Sequence, residues 1–238
     1  REDKRKAWLW TAVTTWVIVF AIRLSRGAKV AQELIGPKYR GIAHSDRWSA
    51  YSWMAPRRRQ LCWSHLLRDF QKLIDRGGVA AAIGKRLQAR AEEMFHYWYR
   101  VRDGTLQRST FQTYLSEIRQ DILAVLEAGT LCRYSKTAEF CKNLLKLQSA
   151  LWTFARVEGV EPTNNAAERA VRKPVLWRKG SFGTDSPKGS RFVERILTTV
   201  ATLRAQQRNV LDYLVEACTA ARRGDEPPSL LPNSRHTA

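Results

Sequence analysis

Residues 8–24 read WLWTAVTTWVIVFAIRL, and how this stretch is read decides the fold class. As one helix it would be a membrane span. A bilayer core needs about 20 consecutive apolar residues, whereas this run is short and is broken by Thr11, Thr14 and Thr15. Its wealth of Trp and Val suits strands better than a helix. The expectation is two buried strands, about 7–13 and 16–24, with a turn near Thr14–Thr15. That turn lacks Gly or Asn, so the sequence leaves its type open.

Working outward, AKVAQELI at 28–35 reads as a short helix stopped by Gly36-Pro37. Gly41 to Asp46 reads as a short strand ending in a carboxylate. A helix is expected to begin within Trp48–Trp53, and a further strand within Arg59–Trp63. From about Leu66 to Val160 apolar residues recur at three- and four-residue spacing. LLRDFQKLI, AAIGKRLQARAEEMFHYWYRVR, TFQTYLSEIRQDILAVLEA and AEFCKNLLKLQSALWTFA each predict a helix. EPTNNAAERAVRKPVLWRKGSFG at 161–183 is dense in punctuation. Helices follow over about 190–207 and 210–221. The tail GDEPPSLLPNSRHTA is rich in Pro and Ser and reads as disordered.

The 238 residues carry 41 Lys and Arg against 22 Asp and Glu, a formal net charge of +19. A polyanionic partner fits that excess, because each cation that meets a phosphate releases condensed counterions. A merely basic soluble surface is the plainer alternative. Clustering of the basic residues near the richest motif favours nucleic acid. No long basic amphipathic helix stands alone, which argues against a membrane surface. Cys62, Cys132, Cys141 and Cys218 are scattered, without a Cys-x-x-Cys pair. A disulfide framework and a complete zinc site are both disfavoured, and a reducing cytosol fits.

Four features hold candidate chemistry. Asp46 follows a short strand, where open α/β sheets place ligand-binding groups. A metal ligand and a helix N-cap fit it equally on spacing alone. Glu168 lies in Pro162-Thr163-Asn164-Asn165-Ala166-Ala167-Glu168-Arg169. Asn165-x-x-Glu168 resembles a capping box, a purely structural role. Alternatively Asn164, Glu168 and Arg172 fall at four-residue steps on one helix face, which suits a metal beside a phosphodiester. Third, Arg169, Arg172, Lys173, Arg178, Lys179, Lys188, Arg191 and Arg195 are opposed only by Asp185 and Glu194, with Trp177 and Phe182 interleaved. A charge run is commonly a solvated face. Here a loop over Gly180–Gly189 would expose these groups for DNA contact and base stacking. Fourth, Cys62-Trp63-Ser64-His65 offers two soft ligands with no second pair, so packing or a hydrogen-bonded His is the better reading. His44 and His96 read as structural.

AWLWTAVT at 7–14, RLSRG at 23–27, HSDRWSAY at 44–51, CWSHLLRDF at 62–70, PTNNAAERAVR at 162–172 and RNVLDYLVEA at 208–217 occur in an order that resembles the insertion sequence sixty-six family of transposases. The resemblance covers nearly the whole chain apart from the tail. It implies an α/β fold: an RNase H-like core with a mixed sheet whose first strand is missing, and a large all-helical insertion. The expected boundaries are 1–65 for the first part of the core, 66–160 for the insertion, 161–221 for the rest of the core with the C-terminal helices, and 222–238 for the tail.

The resemblance also implies roles. Asp46 matches the second catalytic aspartate and Glu168 the catalytic glutamate of a DDE triad. These would hold Mg²⁺ or Mn²⁺ in a two-metal site. Asn164, Asn165, Arg169, Arg172, Lys173, Arg178, Lys179, Lys188 and Arg191 would contact DNA, namely element ends and target. A homo-oligomer acting in the cytoplasm at the nucleoid, with no membrane association, completes that expectation. The family's first aspartate lies in an Asp-Glu-Thr motif before the AWLW strand, whereas this chain has REDKRK. Asp3 reads there as a turn residue. The chain, starting at Arg1 without Met, reads as an inactive fragment that begins inside the core. The competing expectation is a non-catalytic DNA-binding remnant of a decayed element.

Overall fold

A computed structural model describes residues 5–232, so Asp3 lies outside the described residues. The chain divides into two compact units. One gathers the residues up to Tyr39, Ser49–Trp53 and the chain from Asn165 onward; the other holds Arg40–Trp48 and Met54–Asn164.

In the first unit, β1 (Trp8–Val13) and β2 (Ile18–Arg23) pair antiparallel, Val13 opposite Ile18 and Trp8 opposite Arg23. The hairpin turn needs no glycine because Thr14 closes it. The Thr14 backbone N–H donates to the Val17 carbonyl at 2.9 Å, and the Thr14 hydroxyl accepts from Val17 N–H at 3.0 Å. No helix among the described residues is long and apolar enough to cross a membrane. Helix α1 (Ala28–Ile35) ends at Gly36, whose φ of 90° suits a residue without Cβ.

Helix α9 (Pro187–Ala205) lies along the outer edge of β2. That edge presents the N–H groups of Ile18, Phe20 and Ile22, which point away from β1. Thr202 Oγ1 accepts from Ile18 at 3.0 Å and donates back to the Ile18 carbonyl at 2.9 Å. Thr198 Oγ1 accepts from Phe20 at 2.9 Å, and Glu194 Oε1 accepts from Ile22. Two residues of strand advance about 6.6 Å and four residues of helix about 6.0 Å, so the two periods nearly match. Helix α8 (Asn165–Ser181) packs on β1.

Helix α10 (Val210–Arg223) is capped by Asn209, whose Oδ1 accepts from Leu211 N at 2.9 Å, and ends at Gly224 in the left-handed region. Beyond it, part of the segment expected to be disordered is held. Tyr213 donates to the Pro228 carbonyl, Gln206 to Leu230 and Arg208 to Ser229, each at 3.0 Å.

In the second unit, β3 (Ala43–Ser45) and β4 (Arg59–Leu61) pair parallel, His44 opposite Gln60. The molecule is thus mixed α/β. Among the described residues the strands form two two-stranded ladders rather than the one mixed sheet expected. The side chains of α9 occupy the edge of β2 that another strand would need.

The expected helix near Trp48–Trp53 is a single 3-10 turn, Ser49–Tyr51. Pro56 biases the residue before it out of the helical region, and Ala55 sits at ψ 133°. The predicted helices are found as α2 (Trp63–Asp75), α3 (Gly78–Arg102) and α4 (Arg108–Gly129). Trp63, Leu66, Phe70 and Leu73 form the buried stripe of α2 at helical spacing. Trp98, Phe111 and Phe154 close the same core, with Trp98 set edge-on to Phe154 at 5.1 Å.

The run from Ala138 to Ala155, expected as one helix, is three: α5 (Ser135–Lys146), α6 (Gln148–Leu151) and α7 (Thr153–Arg156). Side chains of the neighbouring elements take the backbone groups that a continuous helix would use. Gln60 Nε2 and Trp63 Nε1 both donate to the Leu151 carbonyl, at 3.1 and 2.9 Å. Gln60 Oε1 accepts from Phe154 N–H at 2.7 Å.

Candidate functional site

Asp46 is the first residue past β3 in the second unit and is half-buried. Its Oδ1 accepts from Trp48 N–H at 2.9 Å, the local turn role that the spacing allowed. Oδ2 accepts no hydrogen bond from the described residues. The strand end beneath it is fixed from inside. Arg59, buried on β4, donates to Ser45 Oγ at 3.0 Å and to the Asp46 carbonyl at 3.2 Å.

Next in sequence, Arg47 pairs with Asp69 on α2 at 2.6 Å and lies over the Phe140 ring. Burial alone would raise the Asp69 pKa. Hydrogen bonds and charge from Arg47 and Lys72 outweigh it and hold the carboxyl below its ordinary range. Neither Arg59 nor Asp69 stands out in the sequence. A basic residue in a three-residue strand carries no mark of burial.

Cys62 caps the entry to α2 and is buried. Its Sγ accepts from Asn164 N–H at 3.2 Å, and Trp63 N–H donates to the Pro162 carbonyl at 3.0 Å. Residues 162–164 are therefore pinned to the start of α2. Burial opposes the Cys62 thiolate, but a hydrogen bond from His65 and backbone N–H groups of Asn164 and His65 outweigh it and bring the pKa below its ordinary value.

Glu168 belongs to the first unit, in the first turn of α8, and is exposed. The unit boundary falls between Asn164 and Asn165, and Asn165 is the first helical residue. Asn164 thus directly precedes the helix that carries Glu168 and Arg172.

Arg169, Arg172, Lys173, Arg178 and Lys179 are exposed along α8, and Lys188, Arg191 and Arg195 along α9. The expected loop over 180–189 is shorter. Ser186 accepts from Gly189 N–H at 3.1 Å and Pro187 opens α9, so Lys188 is helical. Between the helices Phe182 is 96% exposed at φ 61°, a backbone region costly for a residue with a Cβ. Trp177 and Phe192 are also exposed. The structure therefore brings the eight predicted cations and Trp177 onto two helices of one unit, with Phe182 between them. Asp46 lies in the other unit.

Residues 1–191 match the family described as Transposase IS66 family. The chain belongs to this transposase family. Among its relatives, the uncharacterized protein y4qI of Sinorhizobium fredii (strain NBRC 101917 / NGR234) is 28% identical over 92% of this chain and 44% of its own length. The uncharacterized protein y4hP of the same organism is 26% identical over 90% of this chain and 42% of its own length. The chain therefore spans less than half the length of these curated relatives. No solved structure matches it.

Proposed function

We propose that this IS66-family chain contributes to metal-dependent cleavage and strand transfer of insertion-sequence ends, with Asp46 and Glu168 as metal-holding carboxylates. One observation carries the reading. Glu168 opens a helix whose later exposed residues include Arg169, Arg172, Lys173, Arg178 and Lys179. A carboxylate at the head of a basic helix suits a cation beside a phosphodiester.

The donor chemistry fits Mg²⁺ or Mn²⁺, since both candidate residues offer hard anionic oxygens. Asp46 Oδ2 is not committed to any hydrogen bond among the described residues. When bound, divalent metal supplies Lewis acidity at the attacking and leaving oxygens of the phosphodiester. The chain's own residues do the rest. Arg59 holds the strand end that carries Asp46. The Cys62 and Trp63 contacts hold residues 162–164, from which α8 departs. The cations of α8 and α9, with Asn164 and Asn165, align the DNA backbone. Phe182, Trp177 and Phe192 offer stacking faces.

On this reading 1–65 and 161–221 are the two parts of an RNase H-like core and 66–160 is a helical insertion. The protein works as a homo-oligomer on DNA ends at the nucleoid.

The test is transposition of a marked element with Asp46→Ala or Glu168→Ala. Each variant should lose strand transfer while keeping DNA binding. Normal transposition with either alanine would remove that residue from the catalytic set. The exposed basic helices also favour a second reading, DNA binding without catalysis. It requires salt-sensitive binding with no metal-dependent cleavage under any condition.

A further inference from the structure

The second unit contains a cavity of about 480 Å³ lined by Arg57, Arg119 and Arg156. They arrive from three elements: the 3-10 turn Pro56–Arg58, helix α4 and helix α7. No carboxylate lines the cavity, and none of the three arginines forms an ion pair among the described residues. The contrast with the rest of α4 is direct: Asp121 of that helix is paired with both Arg86 and Arg90. Cations gathered without an anion repel one another. Partial burial first, and then the charge of Arg156, push the Arg119 pKa below its usual value.

Two of the arginines are held in place. Arg156 donates to the Ser149 carbonyl at 3.1 Å and to Thr153 Oγ1 at 3.2 Å. The Arg119 guanidinium lies 5.6 Å from the centre of the Trp152 ring. Gln120 and Gln148 add neutral donors beside them. Guanidinium groups present forked donors that match phosphate oxygens. The three arginines and both glutamines are exposed at the rim, so a macromolecule reaches them without the cavity opening.

We infer that this cavity binds a backbone phosphate of DNA, giving the helical unit a DNA contact of its own in addition to the cations of α8 and α9. The inference rests on the reading that DNA is the partner. Trp152 is only 5% exposed, so the site grips phosphate and does not stack a base.

The test uses the whole chain and a labelled DNA duplex. Binding is followed by fluorescence anisotropy at stepped salt, and arginine reactivity toward phenylglyoxal is mapped by mass spectrometry with and without DNA. DNA should shield Arg119 and Arg156 in the unsubstituted protein. A triple variant, Arg57→Gln, Arg119→Gln and Arg156→Gln, should bind about tenfold or more weakly, with a salt slope shallower by roughly 0.9 for each phosphate no longer neutralised. The control is Lys85→Gln, Lys136→Gln and Lys142→Gln, the same charge change at exposed positions of the same unit; it should change binding less.

Equal weakening in both triples together with no shielding would overturn the inference. So would shielding by deoxynucleoside monophosphate at the nucleotide concentration at which DNA shields, which would make the cavity a small-molecule site. Failure of the unsubstituted chain to bind DNA at all would overturn the broader functional reading as well. Because the shielding measurement needs no variant, a folding defect in the triple mutant leaves the test intact.

Discussion

The Thr202 hydroxyl both accepts from the Ile18 N–H and donates to the Ile18 carbonyl, closing the edge of β2 with one side chain of α9. Thr202 is fully buried, so water does not replace these bonds. Thr202→Val keeps the shape and strands both backbone groups. The expected cost is about 1–3 kcal/mol, read as a lower urea midpoint. Thr202→Ser should recover most of it. Equal stability of the valine variant would show that the edge is not held this way.

Gly84 faces the backbone of α2. A Cβ there would sit 2.8 Å from the Phe70 carbonyl oxygen and 2.9 Å from Leu73 Cβ. Alanine favours helix over glycine by about 1 kcal/mol, but overpacking costs about 1–3 kcal/mol. Gly84→Ala should therefore lower the melting temperature despite its better propensity. A rise would mean that α2 and α3 separate without cost.

Asp69 links stability to acid. Its carboxyl lies below its ordinary value because Arg47 and Lys72 outweigh its burial. A depressed folded pKa adds stability above the unfolded value, near 3.8, and that contribution fades as pH falls through the folded value. Asp69→Asn should be destabilised at pH 7, with the gap to the parent closing below about pH 4. A constant gap across that range would remove Asp69 from the acid transition.

The two buried cysteines should titrate on opposite sides of the ordinary thiol value of 9.0. Burial pushes Cys141 up to about 11, whereas the His65 contact brings Cys62 down. Thiolate absorbance near 240 nm should lose its early step in Cys62→Ala and its late step in Cys141→Ala. The reverse order would contradict the His65 contact.

Much of this architecture is legible in the residues. Period and β-branching in WLWTAVTTWVIVFAIRL separate a hairpin from a membrane span, and apolar spacing locates α2, α3 and α4. What escapes is side-chain chemistry. Thr14 supplies the turn that Gly would ordinarily mark. Gln60 and Trp63 break a helix by bonding Leu151 and Phe154 far along the chain. Arg57, Arg119 and Arg156 look like ordinary surface cations until three elements bring them to one cavity. Asp46 and Glu168 stand out by motif, and the family match covers both. Asp46 reads two ways in sequence because a carboxylate just past a short strand suits a turn as well as a metal.

Iron-directed cleavage of the polypeptide tests the central claim most directly. Fe²⁺ with peroxide and ascorbate generates hydroxyl radicals at divalent-cation sites, and the cut positions map the ligands without requiring transposition. The account predicts cuts beside Asp46 and beside Glu168, suppressed by excess Mg²⁺ and abolished locally in Asp46→Asn and Glu168→Gln. Cuts confined to other positions, or cuts at these two that neither Mg²⁺ nor the substitutions affect, would contradict it.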